Sequence, residues 1–184
     1  MQVFKVLGRA GYQWIIRVDD DSRFPDPVPY NLVKAMQQEG ASYGFRVQMA
    51  EDPPVVHSLA EATKFWLTME RREPAWLYEH CNPSSIEGLS SLGWSRKMFY
   101  NNFFVGNISF WLAPEVQGYL RFLEQIRGAH RFRWGDAPVQ TLTAGIFLPK
   151  QQIMEFDFAY EHQLKWGWDV FSSDFRHYKH KGSL

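Results

Sequence analysis

The chain has 184 residues, with 20 basic and 20 acidic side chains, six histidines, a single cysteine and an aromatic share of 17%. That length suits one domain, the cancelled charge excludes a strong field steering the chain to nucleic acid or anionic lipid, and Cys81 alone excludes an internal disulfide framework. No apolar run approaches the roughly 20 residues of a membrane helix, and no charged-then-apolar leader opens the sequence.

Residues 12–18 (YQWIIRV) form a β-branched and aromatic run ending in three aspartates, the pattern of a buried strand running into a loop. Ligands of open α/β sheets bind at the carboxyl ends of strands, so the position of these acids favours a functional reading. Pro25, Pro27 and Pro29 keep the chain extended ahead of a helix predicted over 30–39, with Gly40 as its stop. Residues 42–49 (SYGFRVQM) read as the next strand. Ser58 and Glu61 have the spacing of a capping box, opening a helix with Ala62, Phe65, Trp66 and Met69 on one face. Residues 73–98 are rich in Pro, Gly, Ser and Asn without periodicity and read as one long loop. Residues 107–112 (NISFWL) are predicted as a strand. Residues 114–126 follow as a helix that turns Tyr119, Leu120, Phe122, Leu123 and Ile126 inward and closes at Gly128. A further helix begins at Asp136 and Pro138 and runs to about Ile146, and 152–156 make a last short strand. The sum is an α/β domain over 1–168, a mixed sheet flanked by helices. A peripheral tail over 169–184 carries His177, Lys179, His180 and Lys181.

Three groups of residues carry chemistry. Alternate residues of an extended segment share a side, so Asp19 and Asp21 can hold one divalent cation while Asp20 points elsewhere, and such an ion neutralises a diphosphate leaving group. The alternative is a solvated turn. Arg17, just inside the strand, can pair with one of these acids or with a phosphate. In RWGDAP (133–138), Asp136 fits as a helix N-cap; equally, a carboxylate beside the Trp134 ring fits a sugar, the ring stacking and the acid accepting from a hydroxyl. The abundance of rings leaves the same two readings open chain-wide, a ring-built core or a sugar-stacking groove. His162, in FAYEH, reads as a satisfied side chain or as an imidazole ligand beside carboxylates.

Taken together, WIIRVDDDSRF (14–24), YGFRV (43–47), FYNNF (99–103), RWGDAPV (133–139) and FAYEH (158–162) resemble the fungal α-1,2-mannosyltransferases of glycosyltransferase family 15. The resemblance covers roughly residues 12–162. It implies a GT-A nucleotide-binding fold that uses Mn2+ to transfer mannose from GDP-mannose to a glycan acceptor hydroxyl with retention, in the Golgi lumen. By position it implies Asp19, Asp21 and His162 as the metal set, with Arg17, Asp19 and Asp21 toward the donor diphosphate. Asp136 becomes the candidate catalytic residue, for acceptor-hydroxyl contact or base assistance, with Trp134, Tyr100 and Asn102 beside it toward the acceptor.

Departures from that family stand out at three positions. Asp20 replaces its proline between the acids, and Phe104 stands where it carries a glutamate proposed as nucleophile; Asn107 likewise replaces an acid. Phenylalanine forms no glycosyl ester, so retention then requires front-face attack or the site is altered. The family's long N-terminal nucleotide-binding portion is also expected to be lacking, since only about a dozen residues precede the metal strand. Two rivals remain: an inactive carbohydrate-binding or scaffold homologue, and an unrelated metal-dependent phosphate enzyme, which leaves RWGDAPV unexplained.

Overall fold

A computed structural model describes residues 2–162; the expected tail over 169–184 lies outside the described residues. A four-stranded mixed sheet forms the centre, in the order β1 (Trp14–Val18), β6 (Phe103–Asn107), β3 (Tyr43–Phe45), β7 (Ile153–Glu155). β6 runs antiparallel to both neighbours and β3 pairs parallel to β7. Residues directly opposite in an antiparallel pair share a face. Ile15, Arg17, Phe104, Tyr43 and Phe45 therefore lie on one side, and Trp14, Phe103 and Val105 on the other.

Each face carries its own core. The larger packs Tyr43, Phe45 and Phe104 against five helices: α1 (Gln2–Arg9), α3 (Leu59–Met69), α4 (Ile108–Leu112), α5 (Pro114–Ile126) and α7 (Asp136–Phe147). The smaller joins Phe103 and Val105 to Phe156, Phe158, Tyr160 and Met36 of α2 (Leu32–Gln38). Most rings therefore serve the core: Phe4 stacks on Trp111 at 4.7 Å, and Phe104 on Tyr43 at 5.7 Å.

Several elements differ from the sequence expectation, each for a physical reason. β1 is the outer strand of the described sheet and only half-buried, with Ile16 47% and Val18 43% exposed. Residues 42–49 divide into β3 and β4 (Gln48–Ala50), because Arg46 turns inward to donate from Nε to the Phe158 carbonyl at 2.6 Å. The capping box does not form: Ser58 is left-handed at φ 58° and caps nothing, while Glu61 accepts from the Ser91 amide and hydroxyl. The buried face of α3 is consequently Leu59, Ala60, Thr63, Trp66 and Leu67, leaving Phe65 and Met69 exposed. Of the residues 107–112, Asn107 ends β6 and 108–112 are helical. Asn107 accepts from the Ser109 amide as an N-cap, and apolar runs this short do not distinguish strand from buried helix. The segment 73–98 is irregular but packed, with Leu77, Leu89 and Trp94 buried, and ends in β5 (Lys97–Phe99), which pairs with β4. α5 closes on left-handed Arg127, whereas Gly128 opens a short turn, α6 (Gly128–Arg131). α1 arises from Phe4, its one buried residue, anchoring the segment on α4, where a Cβ at Gly8 would sit 2.5 Å from Leu112.

Candidate metal and acceptor site

The three aspartates form the turn that leaves β1. Asp19 N donates to the Asn102 carbonyl at 2.9 Å, and Ser22 N returns to the Asp19 carbonyl at 3.0 Å, so the segment is a closed turn rather than the extended run expected. The turn feeds β2 (Ser22–Arg23), which pairs antiparallel with β8 (Glu161–His162) and sets Ser22 opposite His162. This ribbon is fastened by the Arg23–Glu161 ion pair and by a 2.7 Å bond between the Ser22 and Tyr160 hydroxyls. His162 thereby lands on the acids, with Nε2 2.8 Å from Asp21 Oδ1. One ligand atom each from Asp19, Asp21 and His162 lies within 4.8 Å of the others, and Asp20 points out to solvent.

The surroundings of His162 bear on what that cluster holds. Its Nε2 also contacts the Asn102 side-chain nitrogen, which donates to Asp19 Oδ2 at 2.8 Å. A protonated Nε2 suits Asp21 but opposes the amide N–H, and an unprotonated one does the reverse. A divalent cation between Nε2 and the carboxylates would take the ring lone pair in place of the amide, which keeps its bond to Asp19 Oδ2, and two carboxylate oxygens with one imidazole suit a manganese-like ion. The Tyr100 hydroxyl lies 3.5 Å from the other ring nitrogen, with the two rings edge-on at 5.4 Å.

The second half of the site sits across Arg17. Its Nε donates to Asp19 Oδ1 at 2.9 Å and its Nη1 to Asp136 Oδ2 at 2.6 Å. Asp136 is the first residue of α7 and also accepts from the Ala137 amide at 3.1 Å, so one carboxylate both meets an orphan helix amide and faces the site. Burial pulls its carboxyl up, but the Arg17 hydrogen bond, the Asn101 amide and the Arg17 charge outweigh burial and hold it below the ordinary carboxylate range. Arg17 answers in kind: burial lowers its pKa, and its bonds to Asp136 and Asp19 more than restore it. A hollow of about 490 Å3 lined by Ile16, Arg17, Val18, Phe104 and Asp136 opens beside the pair.

Other residues take different places from those expected. The Trp134 ring is buried under Gly128 and its Nε1 donates to the His57 carbonyl at 2.6 Å, so it supports the Asp136 turn and offers no open face to a sugar. Asn102 is buried behind the Asp19, Asp21 and His162 cluster, bonded to Asp19, rather than open to an acceptor. Tyr100 packs on His162. The Arg17 guanidinium, expected on one of the acids or on a phosphate, is divided between two carboxylates, Asp19 and Asp136. Sequence reasoning missed Asn101, which is 4% exposed and turns its side-chain amide toward the Asp136 carboxylate; its place inside FYNNF was the available signal. It also missed Glu51, whose Oε2 lies 3.4 Å from the position a Cβ on Gly135 would take, and no motif marks that residue.

Known proteins resemble this chain in sequence and fold. The sequence profile described as glycolipid 2-alpha-mannosyltransferase matches residues 2–166. Glycolipid 2-alpha-mannosyltransferase 2 of Candida albicans is 29% identical over 154 residues, covering 83% of this chain and 33% of that protein. Glycolipid 2-alpha-mannosyltransferase of Saccharomyces cerevisiae is 30% identical over 152 residues, covering 82% of this chain and 34% of its own. Core-mannan synthase A from Aspergillus fumigatus, solved in an Mn/GDP form, superposes with a TM-score of 0.76 at 26% identity, over 86% of this chain and 44% of that one. The chain thus spans about a third of the length of these curated relatives, and its fold is the mixed α/β, GT-A-like one.

Proposed function

The chain belongs to the glycolipid 2-alpha-mannosyltransferase family, and from that premise we propose that residues 14–162 form the cation-binding, acceptor-facing part of a retaining mannosyltransferase. The donor is a nucleotide-activated mannose, GDP-mannose by the similarity to core-mannan synthase A in its Mn/GDP form, and the acceptor is a glycan hydroxyl. A Golgi-lumen location belongs to the same proposal. The observation that carries it is the convergence of Asp19, Asp21 and His162, residues from both ends of the described chain, within 4.8 Å.

Asp19, Asp21 and His162 would hold Mn2+, which when bound neutralises the diphosphate as it leaves. Asn102 fixes Asp19 from behind, and the β2–β8 ribbon fixes His162. Asp136 stays ionised against Arg17 and its side chain is 59% exposed, so it is placed to accept a hydrogen bond from an acceptor hydroxyl. A carboxylate held this acidic is a weak base, which favours orienting the hydroxyl over removing its proton early. Phe104 lies on the same sheet face as Arg17, with its ring buried against Tyr43, and leaves no carboxylate there to form a glycosyl ester. Retention accordingly proceeds by attack from the face the leaving group departs.

Phe104 also favours a second reading, a homologue that binds carbohydrate without transferring it. Calorimetric titration with MnCl2, followed by GDP-mannose, separates the cases. The cation is expected to bind the native chain and to fail with Asp21→Asn or His162→Ala; unchanged cation binding in both variants refutes the site. Release of GDP only in the presence of acceptor marks the transferase, and cation binding without turnover marks the inactive homologue.

A further inference from the structure

Arg17 bridges two elements, the turn after β1 and the start of α7. Asp136, 119 positions beyond Arg17, opens α7, and Asp19 lies in the turn after β1. The guanidinium fork is divided between them, Nε and Nη2 facing Asp19 at 2.9 and 3.5 Å and Nη1 facing Asp136 at 2.6 Å. A fork of fixed geometry can bond one carboxylate in bidentate fashion or two carboxylates singly, and here the shorter bond goes to Asp136. The 3.5 Å contact shows how little movement would bring Nη2 fully onto Asp19 Oδ2.

Asp19 is also a member of the cation cluster. A cation and a guanidinium on one carboxylate compete for the same lone pairs, and each lowers the worth of that carboxylate to the other. Asp136 therefore protects the cluster from Arg17 by keeping part of the fork for itself.

We propose that Arg17 is a positioning residue that couples the cation site to the acceptor side, so that whatever engages Asp136 changes how tightly Asp19, Asp21 and His162 hold a divalent ion. The inference rests on reading those three residues as a cation site. Its sign is antagonistic. A hydroxyl that draws on Asp136 loosens Nη1, the fork moves onto Asp19, and the ion is held less tightly; by linkage, a bound ion disfavours that shift to the same extent. Coupling of this form lets an occupied acceptor side weaken the grip on cation and diphosphate together.

The test is calorimetric titration of the 184-residue chain with MnCl2 alone, in a mutant cycle. Asp136→Asn is expected to weaken Mn2+ binding roughly tenfold, the size of effect a charge released onto a neighbouring carboxylate produces. In an Arg17→Lys background, which keeps the charge but cannot bridge, the same change is expected to move the affinity less than about twofold. Arg17→Met alone is expected to tighten binding by at least roughly threefold, because a competing charge is gone. Both side chains reach solvent, at 34% and 59% exposed, so these variants leave the core intact. An Asp136→Asn effect equal in the Arg17 and Arg17→Lys backgrounds, or absent in both, overturns the coupling and leaves the cation site standing. A native chain that takes up no Mn2+ overturns the cation site itself, and the coupling with it.

Discussion

Replacing Phe104 with glutamate tests whether the position has become part of the core or is still a catalytic seat that happens to hold a ring. The Phe104 side chain is 2% exposed, stacks on Tyr43 at 5.7 Å and 12°, and meets Phe4 at 6.5 Å. Burying a phenyl ring removes about 150 Å2 or more from water, roughly 4 kcal/mol at about 25 cal/mol per Å2, and the ring pairs add about 1 kcal/mol. Glutamate keeps part of that apolar contact but brings a carboxylate into a ring-lined space on the same face as Arg17. Arg17 already serves two carboxylates, so a third gains little. The net loss for Phe104→Glu is about 4 kcal/mol, against about 1 kcal/mol for Phe104→Leu. Followed by urea denaturation, with a slope of about 2 kcal/mol per M, the glutamate variant should melt roughly 2 M earlier. It should also gain no transfer activity. A glutamate variant as stable as the native chain, or one that turns over donor faster, refutes the view that this slot has been given to packing.

Two further outcomes follow from the geometry. Gly128→Ala would place a Cβ 2.0 Å from Trp134 Cε3, forcing the indole off the His57 carbonyl; a loss of about 2 kcal/mol and a melting point lower by roughly 5 °C are expected, and an unchanged melt refutes the contact. The Asp136 carboxyl is depressed in the fold, so the stability it contributes is present above its unfolded value, near 4, and is lost as pH falls through the lower folded value. The gap in urea midpoint between the native chain and Asp136→Asn should therefore be constant from pH 7 to about 5 and close below about 4, and a gap that widens with acid contradicts the Arg17 pairing.

The acids after β1, the late histidine and the RWGDAP turn were legible because their chemistry is local: residue type and order announce them. Their company was not. Nothing in the sequence pairs Arg17 with a residue 119 positions on, or tells that Trp134 faces a glycine and a carbonyl rather than a groove. Elements failed where tertiary contact overrode a local pattern. Ser58 and Glu61 have capping-box spacing, yet Ser91 takes the carboxylate, and residues 107–112 carry strand-like side chains on a helix that Asn107 starts. The helices over 114–126 and from Asp136 were readable because proline and periodicity agree there with the burial that the fold imposes.

The two-residue ribbon that sets Ser22 opposite His162 closes nearly the whole described chain into one loop, since Ser22 and Tyr160 are 138 positions apart. With Cys81 alone there is no covalent staple to hold such a loop, and the entropy of closing it must be met by contacts made at the end. An ion on Asp19, Asp21 and His162 would act as that staple: at about a hundred times its dissociation constant it adds roughly 2.7 kcal/mol to the entire fold, not to one corner of it. Folding and loading of the centre are in that sense one equilibrium, and a change anywhere along the intervening chain that loosens the loop is felt as weaker cation uptake.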